Sequence, residues 1–202
     1  MYLPLIVFML YFSASKLSFT VLQTAVIFIA GMLFWSLFEY TVHRFVFHFF
    51  AESDRAKKIV YVIHGNHHEY PRDKERLFMP AVPSLLLAII VFSIQYLAAG
   101  LFGVSVYVFA FFPGFLMGYL IYGSMHYAIH AWNPPFKWMK PLWRNHHLHH
   151  YKNVELGFGV SSTLWDHIFG TMFDLNKEKE DKEKVKELMF GNAAAEKQLQ
   201  SR

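Results

Sequence analysis

A chain of 202 residues that is 54% hydrophobic, 19% aromatic and only 17% charged does not have the composition of an ordinary soluble domain. Its net charge of +4 is unevenly placed: of 19 Lys and Arg, only Lys16 precedes residue 19, and the rest fall in Arg44–Arg76, Lys137–Lys152 and the C-terminal tail, a topological bias rather than a nucleic-acid footprint. With no cysteine, the chain has no disulfide, thiolate zinc site or protein-bound iron–sulfur cluster, so any metal must be held by nitrogen or oxygen.

In chain order, Tyr2 to Phe12 (YLPLIVFMLYF) is apolar but short for a full span, so residues 2–15 are expected to form a short tilted or re-entrant helix. The stretch has no basic leader and no small-residue cleavage site, and is therefore read as retained. A first membrane span is predicted at residues 19–41, because Phe19 to Phe38 carries no charge and about 20 such residues cross a hydrocarbon core of about 30 Å. Two further spans, 80–100 and 104–125, are separated by the turn-prone Leu101, Phe102 and Gly103, and Pro113 is expected to kink the second. This hairpin returns the chain to the side it left, so all the basic segments after Lys16 share one face, which the positive-inside rule makes cytoplasmic. A bacterial inner membrane and the endoplasmic reticulum fit equally well. Residues 1–175 thus read as a single membrane domain. Residues 176–202 read as a charged tail, a solvated helix or partly disordered end with no catalytic role.

All twelve histidines lie on that cytoplasmic face, and ten fall into four spaced groups: His43 with His48, His64 with His67 and His68, His126 with His130, and His146 with His149 and His150. Positions i and i+4, or i, i+3 and i+4, share one face of an α-helix, so each triplet and the His126/His130 pair is expected to converge on a single ion. His43 and His48 diverge by about 140° on a regular helix, so either the helix ends between them or each serves a different metal. His147 lies about 100° round from His146 and is expected, with the isolated His167, to be an amphipathic surface residue. Ten imidazoles exceed the needs of one ion and suit two with open positions. Glu39, four residues before His43, is expected to accept a hydrogen bond from a ligand imidazole, with a snorkelling carboxylate as the alternative. Asp166 is expected either to orient a ligand in the same way or to cap a helix. Trp35, Phe45 and Phe47 read as interfacial belt or packing residues.

The segments EYTVHRFVFH, HGNHHEYPRDKERLFMPAVPS, GYLIYGSMHYAIH, HHLHHY and GFGVSSTLWDHIFGT, in this order and spacing, resemble the fatty acid hydroxylase and sterol desaturase superfamily of membrane di-iron enzymes, most closely its fatty acid 2-hydroxylase branch. The resemblance covers roughly Leu33 to Asp174. It implies that the metal ligands are His43, His48, His64, His67, His68, His126, His130, His146, His149 and His150, with no catalytic residue beyond them. It also implies two iron ions, which zinc can replace without redox activity, together with O2 and an external reductant. Related hydroxylases often carry an acidic residue where this chain has Gly123, so a contact made by that residue is expected to be missing here. The chain is too short to include the cytochrome-b5-type domain fused to some relatives, so electrons are expected from a separate cytochrome-b5-type or ferredoxin-type partner.

The expected fold is therefore an all-α integral membrane protein of three to four transmembrane helices, with a cytoplasmic helical cap carrying a histidine-rich dinuclear site. The expected activity is O2-dependent hydroxylation of the acyl chain of a fatty acid or sphingolipid, at carbon 2, because ligands at the span ends face the first carbons of an interfacial lipid. Two alternatives stand beside it: a sterol or carotenoid hydroxylase or desaturase, and a membrane metal transporter. The second is disfavoured because transport sites usually lie near the bilayer midplane.

Overall fold

The computed structural model describes residues 1–174, so the charged tail at 176–202 lies outside the described residues. Those residues form helices joined by loops, with no strand among them. Three helices carry the bundle: α2 (Val21–Val42), α5 (Ala81–Gly100) and α6 (Val108–Ala131), preceded by the short α1 (Tyr2–Ser15). The cap is built from α3 (Asp54–Val60), α4 (Asn66–Glu69), α7 (Lys140–Tyr151) and α8 (Leu164–Phe169). Two π-helical turns interrupt this pattern, His43–Phe47 directly after α2 and Tyr61–Gly65 between α3 and α4.

Local sequence starts α2 where it does. Thr20 caps α2 through a reciprocal capping box, its Oγ1 accepting from the Gln23 amide at 3.2 Å while Gln23 Oε1 accepts from the Thr20 amide at 2.9 Å. Segments Val21–Phe47, Ala81–Gly100 and Ser105–Ala131 are long and apolar enough to cross a membrane. The first and last extend beyond the expected 41 and 125. A backbone ladder does not stop where the solvent changes, and α6 ends only at Trp132, whose extended backbone leads into Asn133 and two prolines. His43, His126 and His130 consequently ride on the last turns of the spanning helices rather than beyond them. The helix also runs unbroken through Pro113.

Helix α1 rises about 21 Å, less than a hydrocarbon core of about 30 Å. It packs along α6, with Tyr2, Ile6 and Met9 against Val108, Phe112, Phe115 and Leu116. Tyr2 Oη and Ser84 Oγ are 2.7 Å apart, and Ser84 Oγ lies 3.0 Å from Tyr119 Oη, tying α1, α5 and α6 together near the histidine end. Helices α2 and α6 run parallel with their backbones in contact. A Cβ at Gly31 would stand 2.0 Å from the Phe111 carbonyl oxygen, and one at Gly114 would stand 1.9 Å from that of Phe28. Small residues permit such approach where two apolar helices have only packing to hold them. The outward faces present Val26, Ile29, Leu33, Leu86, Ile90 and Leu97, exposed apolar side chains suited to lipid.

The cap is fastened to this bundle by polar contacts at the helix ends. Trp165 Nε1 donates to Ser36 Oγ at 3.0 Å, Tyr40 Oη and Thr171 Oγ1 lie 2.9 Å apart, and Trp143 Nε1 donates to the Trp132 carbonyl at 2.9 Å. A small second core of Ile129, Trp143 and Val160 lies beneath α7.

Candidate metal centre

Ten histidines meet at the cap-side end of the bundle in two groups of five. His43, His48, His64, His68 and His149 form one; His67, His126, His130, His146 and His150 form the other. In each group one ring nitrogen from every member lies within 4.8 Å of all the others. The division departs from the expectation that each triplet converges on one ion. On a helix, i and i+4 differ by about 40°, whereas i+3 turns about 60° the other way. His64 and His68 therefore stay together while His67 crosses to the second group. His146 and His150 stay together there while His149 crosses to the first. The two triplets exchange their middle members.

The other open question, His43 with His48, is resolved by the π turn. Its i to i+5 closure brings residues five apart toward one face, and the helix ends at His48. Both join the same group, with Nε2 atoms 3.3 Å apart.

These donor sets suit metal ions. Two nitrogens bound at about 2.1 Å to one ion lie about 3.0 Å apart at a right angle and about 4.2 Å apart in line. In the first group the Nε2–Nε2 distances are 3.1 Å for His43/His64, 2.9 Å for His64/His68 and 2.9 Å for His48/His149. In the second they are 3.0 Å for His130/His146 and 3.1 Å for His146/His150. The tautomers point the same way. His43 Nδ1 donates to the Phe158 carbonyl at 2.5 Å and His149 Nδ1 donates to the Leu156 carbonyl at 2.7 Å, which leaves both Nε2 lone pairs facing the group's interior. Lone pairs aimed at one another repel unless a cation stands among them.

Burial also keeps the rings in the ligating form. Desolvation holds His48 down to about 4, His68 to about 3 and His67 to about 2, in the last two reinforced by neighbouring imidazoles. His64, His146, His149 and His150 lie well below the ordinary histidine range for the same two reasons. At neutral pH these imidazoles are uncharged and able to bind metal.

Glu39 and Asp166 are not bonded to ligand imidazoles as expected; both hold the loop 157–161. Glu39 Oε1 accepts from the Val160 and Ser161 amides at 2.8 and 2.9 Å, and its Oε2 accepts from the Ser161 hydroxyl. Asp166 accepts from the Phe158 and Gly159 amides at 2.9 and 2.8 Å, from Thr171 Oγ1 at 2.8 Å and from Asn145 Nδ2 at 3.3 Å. Burial lifts the Asp166 carboxyl above its ordinary value against the pull of these bonds. Asp166 lies inside α8, whose N-cap is Thr163, so helix capping is not its role. The loop comes close enough that a Cβ at Gly159 would stand 2.1 Å from the Ser162 carbonyl oxygen. Each carboxylate thus acts one step further from the histidines than its sequence position suggested, because it faces amides of a segment more than a hundred residues away or across a turn.

His147 is 6% exposed, not a surface residue; the second turn of α7 is covered on all sides. It belongs to neither group, its ring lying 5.9 Å from that of His130 and stacked 6.3 Å from Tyr151. His167 is exposed and donates from Nδ1 to the Thr163 carbonyl. Phe47, read as a belt residue, instead stacks on His64 at 4.9 Å, and Phe158 stands edge-on to His43 at 5.8 Å. At Gly123 a Cβ would come 3.3 Å from the Phe78 ring, so an aromatic covers the face where an acidic side chain was expected to be missing. The carbonyl holds of Leu156 and Phe158 were missed by sequence reasoning; the one available signal was the glycine pair in GFG, marking close backbone approach.

A fatty acid hydroxylase family model matches residues 28–171. The chain is 36% identical over 171 residues to a dihydroceramide fatty acyl 2-hydroxylase of Arabidopsis thaliana, covering 85% of this chain and 70% of that one. It is 40% identical over 149 residues to a ceramide very long chain fatty acid hydroxylase of Saccharomyces cerevisiae, covering 72% of this chain and 37% of the relative. With the fatty acid 2-hydroxylase of Homo sapiens the identity is 37% over 150 residues, covering 72% and 39%. The chain therefore spans most of the plant protein and under half of the other two. Among solved structures, full-length scs7p, with only its hydroxylase domain visible, superposes at a TM-score of 0.77 and 34% identity, covering 85% of this chain and 64% of that one.

Proposed function

The chain belongs to the fatty acid hydroxylase family, and from that premise we propose that it hydroxylates the acyl chain of a fatty acid or sphingolipid at carbon 2, in a membrane, with two metal ions held by its ten clustered histidines. The observation that carries the reading is the pair of five-imidazole groups at the ends of apolar helices. Two iron ions bound there would supply the activation of O2, with one oxygen atom entering a C–H bond and the other leaving as water at the expense of two electrons from an external donor and two protons from solvent. Imidazole also accepts zinc, copper or nickel, and zinc has no redox chemistry to do this.

The protein's own residues supply the rest. Neutral, buried imidazoles offer lone pairs without a protonation cost at neutral pH. Phe47 and Phe158 wall the His64 and His43 side of the first group with apolar surface. The groups stand where α2 and α6 finish, at the boundary between hydrocarbon and headgroups, so a lipid whose polar head stays at that boundary presents its first chain carbons to them. The basic segments after Lys16 support a cytoplasmic placement of this end. A cytochrome-b5-type or ferredoxin-type protein is the electron source in this reading.

Lipid analysis of expressing cells tests it. Acyl chains bearing a 2-hydroxyl should accumulate with the intact chain and disappear with His126→Ala or His130→Ala. Oxygen found only in mid-chain, or on a sterol, would overturn the assignment.

A further inference from the structure

The two histidine groups differ in how their outer nitrogens are held. In the first, His43 and His149 each donate Nδ1 to a carbonyl of the 156–158 segment. That segment is fastened by Asp166 through the Phe158 and Gly159 amides, by Glu39 through the Val160 and Ser161 amides, and by the Gly157 amide donating to the Thr171 carbonyl at 2.8 Å. In the second group, Nδ1 of His146, Nδ1 of His150 and both nitrogens of His67 are buried without a hydrogen-bond partner among the described residues, and His126 faces the Leu77 carbonyl, which neither Glu39 nor Asp166 fastens.

This asymmetry has a chemical consequence. A ligand histidine that donates its outer N–H to a carbonyl is fixed in tautomer and rotation and is a better donor at the metal-facing nitrogen, and removing such partners costs about 10–100-fold in metal affinity. Resting on the two-metal reading above, we propose that Glu39 and Asp166 are positioning residues for one metal position only. The position built by His43, His48, His64, His68 and His149 then holds its ion at least about tenfold more tightly than the other. The carboxylates act through the loop: they fix its amides, the loop fixes two carbonyls, and the carbonyls fix two imidazoles of the same group. No comparable chain of bonds reaches His67, His146 or His150 among the described residues.

The test is graded chelation of the metal-loaded protein in detergent, with bound metal counted at each step. Two ions should leave in separate steps, the second at about tenfold or more higher chelator. Glu39→Ala and Asp166→Asn, the latter placing an amide N–H against backbone N–H donors, should each draw the late step toward the early one and leave the early step unmoved. That unmoved step reports a folded protein, which a general loss of structure would not spare. Glu39→Asp, which keeps the carboxylate, should recover part of the separation. Release of both ions in one step, or equal weakening of both steps by the variants, would overturn the proposal while leaving the two-metal reading intact. Fewer than two ions in the unmodified protein would instead overturn the two-metal reading, and the proposal with it.

Discussion

His67 and His68 are neighbours on α4, yet their imidazoles serve different groups, with ring centroids 6.0 Å apart and planes at 73°. Replacing either by alanine removes one ligand from one group. His67→Ala should lose metal from the group containing His126 and His130, and His68→Ala from the group containing His43. Each should reduce hydroxylation by at least about 100-fold, since a lost ligand exceeds the 10–100-fold effect of a lost outer partner. Metal analysis of the two variants, each retaining about one ion, checks the division; loss of both ions from both variants would contradict it.

His147→Ala should behave unlike His149→Ala, though both residues are buried on α7. The first removes a ring outside both groups, so both metals should stay and activity should change by less than about tenfold, while the cavity costs about 2–3 kcal/mol of stability. The second removes a ligand that bridges α7 to the first group, and should abolish turnover. Paired thermal melts, metal content and activity separate the two; a His147 variant lacking metal would place it among the ligands.

Acid should release metal only well below the ordinary histidine range. The unfolded-state value is about 6.5, whereas burial holds His48 at about 4, His68 at about 3 and His67 at about 2 in the fold. The folded values are depressed, so the unfolded chain binds more protons between those limits. Stability is then complete above about 6.5 and declines as pH falls through the window toward 4 and below. Competition between protons and metal at the folded site begins near 4, at His48. Gel filtration of the loaded protein at graded pH, followed by metal counting, measures this; half-release at the ordinary histidine value would show that the rings are solvated.

Gly31→Leu or Gly114→Leu should break the α2–α6 contact. Even a Cβ at either site would stand within about 2 Å of a facing carbonyl oxygen, so the helices must separate. Overpacking of this kind costs about 1–3 kcal/mol or more. Because α2 runs directly into the π turn that carries His43, and α6 carries His126 and His130, separation should also displace ligands in both groups. Size-exclusion profile and metal content should worsen together, and a variant that keeps both would refute the dependence of the site on this contact.

Much of the site was legible because its determinants are local. A 20-residue uncharged stretch is long and apolar enough to span a membrane whatever surrounds it, and helical periodicity selected His126/His130, His64/His68 and His146/His150 as i and i+4 pairs. The i+3 members were misassigned for a physical reason: at about 60° from i they lie between two faces, and which face is used depends on the helix packed opposite. The π turn at His43–Phe47 was also invisible, since nothing in HRFVF marks an inserted residue, although the ambiguity it resolves was evident from spacing. Glu39 was singled out for the right element but the wrong partner, because its partners at 160 and 161 come from the far end of the chain.

The sequence by itself determined the apolar helices, the side on which the histidines gather and the i and i+4 pairs among them, since these follow from composition or from the 3.6-residue repeat. Only the tertiary structure decided how those ten divide into two groups, how deeply His147 is buried, and which group is tied through a loop to two buried carboxylates. Those outcomes rest on contacts between segments distant in sequence, where direction is set by packing rather than by any local repeat.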